Sequence, residues 1–126
     1  MEILDCLVYA ICHPITDEVV YIGKTHNLKL RSYGHMARKN TPEIHQWISD
    51  LKELNLRPKF VPIVSNLSNK DAAHLEYLYI FRGFRNGGRL KNKQPLTKIF
   101  LSECQNNKGI TLEELTRCLQ EPVEKR

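Results

Sequence analysis

Arg31 and His35 are where the types and spacing of residues in this 126-residue chain first point to chemistry. A guanidinium offers a planar fork of donors that matches two phosphate oxygens. An imidazole changes its charge near neutral pH and so moves protons. The two residues are four apart, so on a helix both side chains leave from one face. Asn27 is a natural N-cap for that helix, with Leu28, Leu30 and Tyr33 available for packing. Ahead of it, Val19, Val20, Tyr21 and Ile22 read as a strand that Gly23 interrupts. A glycine there suits a tight turn or a close approach to the backbone. Strand, glycine and helix together form a compact way to hold a phosphate beside a proton-transfer group.

Glu76 is the second residue of interest. It stands within Ala72-Ala73-His74-Leu75-Glu76-Tyr77-Leu78-Tyr79-Ile80-Phe81, a helical stretch apolar nearly all round. Burying a carboxylate there is costly unless it is paired or bound to a cation. A structural salt bridge to one of the arginines and a metal-ligand role are equally compatible with that context.

These residues need elements to position them. Residues 3–12 read as a mostly apolar strand, Pro14 ends it, and residues 18–23 form a second strand in an antiparallel hairpin. A first helix is expected over 27–38. Thr41-Pro42-Glu43 starts a second, over 42–54, with Ile44, Trp47, Ile48, Leu51 and Leu54 at helical spacing. Trp47 reads as a core anchor and His45 as an exposed bystander. Residues 58–64 form a third strand, with Pro62 demanding an edge position or a bulge. Ser68 caps a third helix over 69–82, followed by a flexible cationic loop, residues 82–89. The order β-β-α-α-β-α predicts an α+β fold, a small three-stranded, mostly antiparallel sheet flanked by helices.

The domain is expected to span residues 1–97. Residues 98–126 then form a partly helical extension: a short apolar element over 98–104, a loop over 105–109, a helix opening at Thr111 and a frayed end from Glu121. A net charge of +5 and a pI near 9.1 bias the chain toward polyanionic partners. No apolar run reaches the roughly 20 residues of a membrane span, and the N-terminus lacks a signal-peptide pattern. An intracellular protein, cytoplasmic or nuclear and not secreted, is therefore expected. Cys6, Cys12, Cys104 and Cys118 contain no Cys-x-x-Cys pair and read as reduced thiols.

The ordered set Tyr9, Tyr21-Ile22-Gly23, Arg31, His35, Glu76 and Asn92 resembles the GIY-YIG endonuclease family. Its second motif is intact as Tyr21-Ile22-Gly23, whereas the first is Leu7-Val8-Tyr9, with the tyrosine kept and the glycine lost. The resemblance covers roughly residues 4–95. It implies metal-dependent hydrolysis of a DNA phosphodiester, with Glu76 on Mg²⁺ (or Mn²⁺) and Arg31 on the scissile phosphate. Tyr9 would activate the attacking water and Tyr21 position water or phosphate, with those roles open to exchange. His35 would move the proton or contact the phosphate. Lys24 would touch DNA, and Asn92, in Arg89-Leu90-Lys91-Asn92, would brace the site. A free phenol titrates near 10, so a phenolate base needs a cation such as Lys24, Arg31 or the metal to lower it.

Binding is expected to be largely electrostatic and of limited sequence specificity, aided by a homodimer or a protein partner. A rival reading from another class is a catalytically silent module that binds nucleic acid or protein on the same fold. A third is a small zinc protein using Cys6, Cys12 and His13.

Overall fold

The computed structural model describes residues 3–37, 42–92 and 109–120. Strand β1 (Cys6–Cys12) lies between β2 (Val19–Thr25) and β3 (Lys59–Leu67), antiparallel to both. Helix α1 (Leu28–Met36) and α2 (Pro42–Glu53) come between β2 and β3, and α3 (Asn69–Arg85) and α4 (Leu112–Gln120) come after β3. The fold is thus the expected small α+β arrangement. Among the described residues no helix is long and apolar enough to cross a membrane.

The central strand sorts the molecule into two cores because successive side chains point to opposite faces. Cys6, Val8, Ala10 and Cys12 pack with Ala72, Tyr79 and Ile80 of α3 and with Leu115 of α4. Leu7, Tyr9 and Ile11 pack on the other face with Ile44 and Ile48 of α2. Six of the seven β1 residues are buried, as expected of the middle strand. Cys6 and Cys12 are free, buried thiols. They stand at opposite ends of β1, about 20 Å apart at strand rise, too far to share one ion.

Pro62 occupies the kind of place its missing N–H demands. Strand β3 is an edge strand, and its register with β1 shifts twice, between Cys6 and Val8 and between Val8 and Tyr9. Asn66, at φ 61°, takes up the left-handed backbone within the first shift. These bulges carry β3 three residues past the expected end at Val64, to Leu67 opposite Cys6. Asn27 caps α1 by accepting from the Leu30 amide at 3.0 Å, and Ser68 caps α3 by accepting from the Asp71 amide at 3.1 Å. Thr41 lies outside the described residues.

Two expectations about packing fail. Leu30 and Tyr33 are 64% and 58% exposed, because at about 100° per residue they fall on the far side of α1 from Leu28 and His35. Leu54 is likewise exposed, beyond the last turn of α2. Helix α3 also outlasts its expected end, reaching Arg85, and the glycine-rich segment beyond it is packed rather than loose. The Gly88 amide donates to Gly83 O at 2.7 Å and the Gly87 amide to Phe84 O at 3.1 Å, with Gly87 at φ 92°. This is a Schellman cap, in which a left-handed glycine satisfies the last carbonyls of the helix. A Cβ on Gly88 would lie 2.6 Å from Gly83 O, so backbone meets backbone here.

The outer edge of β2 is covered by returning chain. Thr111 bridges to Glu18, the Val19 amide donates to Ile110 O at 2.8 Å, and the Lys91 amide donates to Val20 O. Arg89 grips Glu18 through two bonds of 2.9 Å. The expected boundary at residue 97 and the apolar element at 98–104 lie outside the described residues. Beyond them, Ile110 and Leu115 join the core between the sheet and α3. Leu115→Ala should therefore lower the stability of the whole domain by about 2–5 kcal/mol. Urea unfolding would read this as one shifted transition; an unchanged midpoint would mean that α4 is not part of the cooperative unit.

Candidate active site

Tyr9 is the hub of the site. It pairs in register with Gly23, and its ring lies against that glycine. A Cβ at position 23 would meet the Tyr9 hydroxyl oxygen at 2.7 Å and ring carbons at 2.8 and 2.9 Å. Strand β2 runs on through Gly23 to Thr25 and is not broken there as expected, and the glycine is required by close approach of a side chain. Position 7, where the first motif lacks its glycine, is opposite Thr25. Leu7 there packs with the α1–α2 core.

The Tyr9 hydroxyl is 2.8 Å from His35 Nε2, in a buried hydrogen bond whose donor depends on the imidazole tautomer. His35 is 1% exposed. It stacks on Phe60 of β3, with ring centres 5.9 Å apart, and meets Tyr21 edge-on at 5.2 Å. Tyr9 is likewise 1% exposed, so both members of the bond are enclosed by the protein. Tyr21 also lies 6.2 Å from Tyr9, ring centre to ring centre.

Arg31 comes from the same helix as His35 and bonds to Tyr9 through its side chain. Glu76 arrives from α3, on the other face of the sheet. It belongs to the inward stripe of Ala72, Tyr79, Ile80 and Gly83, which explains a half-buried carboxylate in an apolar stretch. Lys24 lies beside it, its Nζ donating to Asn69 Oδ1 at 3.0 Å while its charge acts on the Glu76 carboxyl. Asn92 braces the strand next to Gly23. Its Oδ1 accepts from the Ile22 amide at 3.0 Å and its Nδ2 donates to Ile22 O at 2.6 Å. The side-chain amide thus stands in for a neighbouring strand.

The electrostatics correct one expectation. The Tyr9 phenol is pushed well above its ordinary value, first by burial and then by Tyr21, with a smaller push from Glu76. Arg31 acts the other way, as expected of a cation, but burial wins. In the protein alone Tyr9 is a phenol at neutral pH. The Glu76 carboxyl is also raised, by burial, with Lys24 and its backbone amide opposing.

Tyr9, Tyr21, Arg31 and His35 are thus brought together, Glu76 acts electrostatically on Tyr9, and Lys24 and Asn92 hold neighbouring groups. Phe60 and Asn69 were not legible as members of the site. Phe60 is placed under His35 only by the β3 register, and Asn69 reads in sequence as one more polar residue at a helix start. Among the described residues no group of three or more His, Cys, Asp or Glu gathers to hold a metal. No family model, no curated protein and no solved structure matches the chain.

Gly23→Ala should cost about 1–3 kcal/mol by forcing Tyr9 aside. The cost should shrink in a Tyr9→Leu background, and an equal cost in both would separate the glycine from the ring. Glu76→Gln should stabilise the metal-free protein at pH 7. A carboxyl raised by folding opposes folding once it ionises, so the penalty is absent below the unfolded value and grows as pH rises past it. Thermal melts should show the variant above wild type at pH 7, with the gap closing toward pH 4. A variant no more stable at pH 7 would contradict the burial of this charge.

Proposed function

We propose that the chain is a metal-dependent DNA endonuclease of the GIY-YIG type. The observation that carries this reading is the buried 2.8 Å bond between Tyr9 and His35, with Arg31 bonded to the same phenol. Two groups, one able to move a proton and one able to hold a phosphate, meet at one atom, the Tyr9 oxygen. A packed sheet tyrosine needs no such company.

Water would attack the phosphorus and the P–O bond on the opposite side would break. Because Tyr9 is a phenol at neutral pH, it serves as a relay. Its oxygen is enclosed in the protein alone, so a substrate-bound water must first reach it. Tyr9 would then take that water's proton as its own passes to His35 Nε2, which must be an unprotonated acceptor. Arg31 holds the phosphate oxygens and offsets charge that builds during attack. The leaving oxygen takes its proton from solvent. Tyr21 and Phe60 confine the imidazole. Glu76 suits a hard cation, since Mg²⁺ or Mn²⁺ commonly takes one or two carboxylates together with waters and phosphate oxygens. Bound there, the ion would supply positive charge to the phosphate.

The second reading is a silent module that binds nucleic acid or protein on the same fold. It draws on the upward shift of Tyr9, which would suit a structural hydrogen bond. With DNA as the partner, and help from a homodimer or another protein for specificity, either reading uses the net positive charge of the chain.

Supercoiled plasmid with Mg²⁺ separates the two. Wild type should nick or linearise it, Arg31→Ala should be slower by about 10²–10³-fold, and Glu76→Ala should bind DNA without cutting. Wild-type binding without cleavage across divalent ions would favour the silent module.

A further inference from the structure

Helix α1 carries a feature that the relay does not use. An open groove of about 470 Å³ is lined by Thr25, His26, Leu30, Arg31, Tyr33 and Gly34, among others. Its volume falls within the range of about 300–1,000 Å³ usual for small-ligand sites. Leu30 and Tyr33 expose their apolar surface to it, and Gly34 contributes no side chain. Arg31 belongs to both places, lining the groove and bonding to Tyr9. Anything seated in the groove therefore lies one residue from the phosphate site.

We infer that this groove is a nucleobase subsite that takes one unpaired base beside the phosphate held by Arg31. The preferred substrate is then DNA containing an extruded or single-stranded nucleotide. This rests on the nuclease reading for the phosphate's place, but not for binding. An exposed tyrosine ring offers a stacking face that every base can use, and an adjacent guanidinium supplies the charge for the attached phosphate. A base inside a duplex presents no such face, since its neighbours cover it. An apolar peptide fits less well, because it would cover Arg31 and His26 without answering their polar groups.

The test is binding by fluorescence anisotropy in EDTA, so that no strand is cut. Three labelled duplexes are compared: fully paired, with one unpaired nucleotide, and with that nucleotide abasic. Wild type should prefer the unpaired nucleotide by about ten-fold over the paired duplex. Removing the base, or making Tyr33→Ala, should each erase the preference, with no further loss when combined. Tyr33→Phe should keep it. Leu30→Ala in the same groove carries the test should Tyr33→Ala fail to fold. Equal binding of all three by wild type, or a full preference in Tyr33→Ala, overturns the subsite. A wild type that keeps the preference in EDTA yet cuts nothing with Mg²⁺ supports the subsite and overturns the nuclease.

Discussion

The site depends on one close approach, the ring of Tyr9 lying on the backbone of Gly23. It sets the reach of the phenol, since a larger residue at 23 would hold the ring off the strand. Once the ring is seated, its hydroxyl meets His35, and His35 is fixed in turn by Phe60 and Tyr21. Asn92 holds Ile22 by both its amide groups and so fixes the strand under the ring from its outer side. Aromatic packing and strand register place the polar atoms. The hydrogen bond between Tyr9 and His35 is their product.

Helix α1 inverts the usual order of a surface helix. Its inward stripe carries His35 and the half-buried Arg31, while Leu30 and Tyr33 face outward. Such an arrangement trades stability for position, since buried polar groups cost free energy unless fully partnered. Glu76 shows the same preference on α3, where an apolar residue of similar size would pack without a desolvation penalty. Both helices therefore carry their expensive groups toward the same region of the sheet, from opposite faces. Stability comes from elsewhere, chiefly the aliphatic layer of Val8, Ala10, Val19 and Ile22 beneath α3.

Much of the fold was legible in the sequence because local signals and global packing agree. Asn27 and Ser68 cap where their chemistry requires, and Pro62 falls on an edge strand beside a bulge. Arg31 and His35 were legible through their spacing, since the helix period brings them to one face, and Tyr9 and Tyr21 through the resemblance that their motifs carry. The depth of His35 was not, because it depends on Phe60 arriving from a strand 25 residues later. The packing of Gly87 and Gly88 was missed for a similar reason. A glycine pair reads as freedom until the partner that fills its space, Ile110, is known. The direction of the Tyr9 shift turned on burial, which spacing does not report.

The covering of β2 has a consequence for life in a crowded solution. Residues 91–92 and 110–112 take up hydrogen-bonding groups along that strand's outer side. The opposite margin, β3, carries Pro62 and two bulges that break the even row of donors and acceptors another strand would need. A sheet of only three strands thus offers no straight template at either side. Its own architecture discourages copies of the chain from zipping together into aggregates.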